Sequence, residues 1–106
     1  MHPFDKYRNF IVHALFVPVG ASGCDTVDLM LHGSMRFFDV VVELKKFIAI
    51  SETVYLYVNG IFEPDPESFI GDAAKLFGKQ QPTLNAEILP VYDLSVHFSV
   101  KLPAYN

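Results

Sequence analysis

The residues able to do chemistry are few and scattered. The histidines are His2, His13, His32 and His97. His13 and His97 fall in the first and last strand-like segments, which would be neighbours in one sheet, so the two could meet. Two imidazoles make a poor metal site, because zinc takes three or four protein ligands. Ser34, Ser51, Ser68, Ser95 and Ser99 stand in no nucleophile-elbow pattern. Asp65 and Glu67 are better suited to opening a helix than to acid/base work. Cys24 is the only cysteine. It can form no internal disulfide, and it fits a reducing compartment. These residues imply no catalysis, no cofactor and no metal.

The composition narrows the class further. The chain has 106 residues, 51% of them hydrophobic and 19% charged. That suits one domain with a sizeable core and little disorder. A net charge of -4 with only 8 Lys and Arg argues against nucleic acid as a partner. The apolar stretches are too short to span a bilayer, and Met1 to Asp5 lack the pattern of a signal peptide. A cytoplasmic setting is expected, with membranes met only through partners.

Residues 1–9 read as a flexible arm. Phe10–Val19 and Asp25–Leu31 read as strands, the second with Val27, Leu29 and Leu31 on one face. Gly33-Ser34 breaks the pattern, and Ser34 would cap a helix running from Met35 to about Ile48. Phe37, Val41, Leu44 and Ile48 would form its apolar face, with Arg36, Asp39, Glu43 and Lys46 opposite. A strand through Phe38–Val42 is the competing reading. Thr53–Val58 alternates as a third strand, and Asn59-Gly60 turns it. Asp65 and Pro66 would begin a short helix ending at Phe77, with Gly78 as its C′ glycine. Residues 79–93 read as a long inserted loop. Leu94–Lys101 alternates cleanly as the last strand.

This order implies an α+β, β-grasp fold. A mixed sheet of four to five strands would pack on one main helix, with a short second helix. The domain would span 10–106. Tyr55, Tyr57, Ser95, His97 and Lys101 would then point away from the helix. Tyrosines on an open sheet face favour protein contacts, so Tyr55, Tyr57, His97 and Lys101 are the candidate partner-binding residues there.

The stretch Tyr55-Leu56-Tyr57-Val58-Asn59, then Phe62, Pro64-Asp65-Pro66-Glu67 and Leu76-Phe77-Gly78, resembles the ubiquitin-like autophagy-related protein 12 family. Val58, Asn59, Phe62, Pro64, Asp65, Phe77 and Gly78 carry that motif. The 42–48 run Val-Glu-Leu-Lys-Lys-Phe-Ile is similar to the end of the family's main helix. The resemblance implies a role beside autophagy-related protein 5, the pair recruiting the conjugating enzyme that lipidates autophagy-related protein 8 at the forming autophagosome. The family's site for that enzyme opens the second strand with a basic-aromatic pair, and Asp28 and Leu29 stand there instead. Members typically end in Trp-Gly, and the sequence here ends in Tyr105-Asn106. Gly serves modifier ends because its bare backbone enters narrow enzyme channels. The departure implies a noncovalent pair, with Tyr105 and Asn106 as further partner contacts. The alternative is a ubiquitin-like interaction domain outside autophagy.

Overall fold

A computed structural model describes residues 6–20, 24–60, 62–83 and 88–100. The elements are β1 (Ile11–Pro18), β2 (Val27–His32), α1 (Phe37–Ile48), β3 (Val54–Val58), α2 (Ile70–Phe77), β4 (Lys79–Gln80) and β5 (Val91–Val100). The sheet order is β2-β1-β5-β3, with β4 also paired to β5. β1 and β5 are parallel, with Ile11 opposite Val91 and Pro18 opposite Phe98. The other pairings are antiparallel. This is the β-grasp layout, a mixed sheet with α1 against one face.

Strand alternation explains the core. Val12, Ala14 and Phe16 of β1, Val54, Leu56 and Val58 of β3, and Leu94, Val96 and Phe98 of β5 all face inward and are buried. Phe37, Val40 and Leu44 of α1 and Ile70, Ala73 and Ala74 of α2 cover them. Pro18 is tolerated because its nitrogen faces the β2 side, where pairing has already ended at Phe16–Val27. Lys6–Arg8 form a 3-10 turn against α2, where Arg8 meets Asp72 at 2.9 Å.

Several boundaries differ from expectation. α1 starts at Phe37 with Arg36 as N-cap and no side-chain cap. Ser34 is engaged by His32 instead, its Oγ 2.7 Å from Nδ1. The first amides of α1 are satisfied from elsewhere, Phe37 N–H by Ser68 O and Phe38 N–H by Pro66 O, both at 2.9 Å. The buried stripe uses Val40 where the sequence suggested Val41, while Val41 and Ile48 are half-buried. The competing strand through Phe38–Val42 is absent, since this segment is helical. α2 starts at Ile70, not at Pro66. Asp65 forms a turn of its own, its carboxylate Oδ1 accepting Glu67 N–H at 2.8 Å and its backbone carbonyl accepting Ser68 Oγ–H at 2.6 Å. The stretch 79–93 opens with β4 and closes with the first residues of β5.

Candidate functional site

The sheet face turned away from α1 carries the polar side chains. Register sets Tyr57 opposite His97 and Tyr55 opposite Ser99. Tyr57 Oη lies 3.3 Å from Ser99 Oγ. Tyr55, Tyr57 and His97 are half-buried and Ser95 is exposed. His97 lines two shallow clefts. One includes Asn59, Phe77, Lys79 and Asp93; the other includes Val19, Tyr57 and Ser99. Lys101, Tyr105 and Asn106 lie outside the described residues.

His13 and His97 do not meet. In the parallel β1–β5 register His13 stands opposite Asp93, whereas His97 stands opposite Val17. The four-residue offset separates them by about 13 Å along the strands. His13 is held by two carboxylates, with Nε2 2.7 Å from Asp28 Oδ1 and Nδ1 2.9 Å from Asp93 Oδ1. Both carboxylates accept from the ring only when both its nitrogens carry protons, so this arrangement favours the imidazolium. The hydrogen bond to Asp93, then that to Asp28, raises the His13 pKa above its usual 6.5. Asp93 is shifted down, first by the Gln81 amide at 2.8 Å and then by His13. The cluster ties β1 to both neighbours. Sequence reasoning missed it, although outward alternation in the first two strands already set His13 and Asp28 on one face. Among the described residues no three His, Cys, Asp or Glu side chains form a metal-binding group.

The sequence matches the family model for "Ubiquitin-like autophagy protein Apg12" over residues 14–99. This chain belongs to that family. Among solved structures, it is similar to ATG8 of Trypanosoma brucei, with TM-score 0.62 and 10% identity, over 94% of this chain and 79% of that one. It is also similar to a structure titled "Molecular Mimicry of SUMO promotes DNA repair", with TM-score 0.54 and 17% identity, over 89% of this chain and 94% of that one. At these identities the likeness is one of fold, and the fold is ubiquitin-like. No curated protein matches the chain.

In this Apg12-family chain the motif residues surround the link between β3 and α2. Val58 is buried and exchanges backbone hydrogen bonds with exposed Phe62, closing the turn through Asn59. Asn59 and Gly60 have φ of 51° and 92°, the left-handed values that this dipeptide tolerates best. Pro64 is buried and Asp65 sets the turn before α2. Phe77 is 43% exposed at the end of α2. Gly78 is not a left-handed C′ residue; its φ is -95° and ψ -170°. Glycine is needed because a Cβ there would press on Asp93 O and sit 2.6 Å from Ala74 O. Among the described residues no helix is long and apolar enough to cross a membrane.

Proposed function

We propose that this ubiquitin-like autophagy modifier works beside autophagy-related protein 5. In that pairing it promotes lipidation of autophagy-related protein 8 through the conjugating enzyme, in the cytoplasm and at the forming autophagosome. It acts as a binding subunit with no catalytic step of its own. The observation that carries the reading is the Apg12 family match over residues 14–99. The outer sheet face around Tyr57 and His97 supports it as the contact surface, since half-buried aromatics beside shallow clefts suit a protein partner.

Affinity purification of the chain from its own cells tests the pairing. Recovery of autophagy-related protein 5 is the expected result, and its absence would refute the pairing. A denaturing gel of the recovered pair decides the mode of association. Two bands fit a noncovalent pair, and one band at the summed mass a covalent one. Tyr57→Asp is expected to weaken recovery roughly tenfold or more while the domain stays folded, because Tyr57 lies outside the core. Undiminished recovery would remove this face from the proposal.

A further inference from the structure

The outer edge of β3 is open over part of its length. Val58 N–H donates to Phe62 O at 2.7 Å and Phe62 N–H to Val58 O at 3.1 Å. The polar backbone groups of Val58 therefore point away from β5. Such groups alternate sides along a strand, so those of Leu56 and Val54 point the same way. β3 is the last strand in the sheet order, and among the described residues nothing pairs with its outer edge, the one away from β5, beyond the Val58–Phe62 bridge. Two N–H donors and two C=O acceptors thus face outward in one row. Such a row is the template for one added extended segment.

An apolar groove of about 410 Å³ runs beside this edge, between β3 and α1. Phe38, Val41 and Val42 form its helical wall, and Pro64 lines it from the far side of the turn. Phe38 is 61% exposed and Val42 39%. A strand added to β3 would turn every second side chain toward that wall. The groove's charges lie at its two ends. Lys45 sits in the last turn of α1, beside the start of β3, and donates to Ser51 O at 3.3 Å. Glu63 follows the turn after β3, near the first turn of α1.

We infer that the open edge of β3 and the groove beside it form a docking site for a short extended peptide of a partner protein. The peptide is apolar at alternate positions, acidic at the end beside Lys45 and basic at the end beside Glu63. Backbone pairing supplies the register, the α1 wall selects the apolar side chains, and the two terminal charges select direction. With only Val54 and Leu56 open, the contact is small and exchanges rapidly. The site does not rest on the pairing with autophagy-related protein 5, and its test needs only the isolated chain.

The probes are two synthetic eight-residue peptides. One has two aspartates, a Val-Thr-Val-Thr centre and two lysines; the other is its reversed sequence. One of the two is expected to shift the backbone amide resonances of Val54 and Leu56 in a 15N-labelled chain and to slow their hydrogen exchange. Val42→Glu should abolish the shifts. Lys45→Glu should weaken binding by roughly fivefold or more, since it reverses the charge at one end. Both positions lie outside the core, and circular dichroism verifies that the variants fold. The inference is overturned if neither peptide binds, if the shifts centre on Asp28 and Met30 of β2, or if both variants bind as the parent does. It is also overturned if sedimentation finds a dimer that Val42→Glu dissolves, because the occupant would then be a second copy of the chain.

Discussion

The clamp on His13 makes a prediction about pH. In the folded chain the ring donates to Asp93 and Asp28, and its pKa stands above the ordinary 6.5. Its contribution to stability is therefore complete below about pH 6.5 and is lost as pH rises through the folded value. Asp93 behaves in the opposite sense. Its pKa is held below 3.8, so its contribution is present above about pH 3.8 and is lost as pH falls through the folded value. The cluster thus stabilises most between about pH 4 and 6.5. The His13 side chain is 35% exposed, and Asp28 and Asp93 are more so. Exposed pairs contribute about 0.2–1 kcal/mol each, so two together amount to ~1 kcal/mol after solvent screening. His13→Gln keeps the shape and a hydrogen-bond donor but cannot titrate. Urea denaturation of both proteins from about pH 5.5 to 9 isolates the effect, because every other group cancels in the difference. The parent should lose ~1 kcal/mol more than the variant across that range, or ~4 °C in Tm. Parallel loss in the two proteins, or a relative gain by the parent, would refute the argument that the clamp works by charge.

Two further substitutions probe the frame. Phe98 is fully buried between the sheet and the helices, so Phe98→Ala should cost about 3–5 kcal/mol in urea melts; a cost under ~1 kcal/mol would mean that the core is packed otherwise. Gly78→Ala drives a methyl against two backbone carbonyls that cannot rotate away. It should cost about 1–3 kcal/mol and speed hydrogen exchange at Lys79 and Gln80 as β4 loosens, whereas unchanged exchange would argue against this contact.

The strands were legible because each has one dry face. Val54, Leu56 and Val58, like Leu94, Val96 and Phe98, announce their burial by alternation alone. α1 is legible as a helix, and Phe37 and Leu44 are buried as its spacing predicts, while Val40 is buried more fully than the expected Val41. Phe38, Val42 and Phe47 also leave large apolar groups on its exposed side, so the hydrophobic arc is too wide to fix the rotation. The N-terminal limit of α1 was hidden for a different reason. Its capping carbonyls come from Pro66 and Ser68, which no local pattern near Ser34 announces. The start of β5 was likewise hidden, because Val91 to Asp93 become strand through Ile11 to His13 and through Lys79 and Gln80. Of the candidate surface, Tyr57 and His97 were placed on one face by period two. The groove on β3 was not visible, because it depends on which strand ends the sheet.

The parallel pairing of β1 with β5 has a consequence for synthesis. The central seam of the sheet joins strands far apart in the chain, with Ile11 of β1 waiting for Val91 of β5. Until β5 is available, β1 can pair on one side only, with β2, and its other edge keeps a row of unpaired N–H and C=O groups. A chain broken off before Val91 should therefore keep no stable half-domain. A truncated product is then expected to be a substrate for chaperones and proteases rather than a partial modifier competing for the same partners.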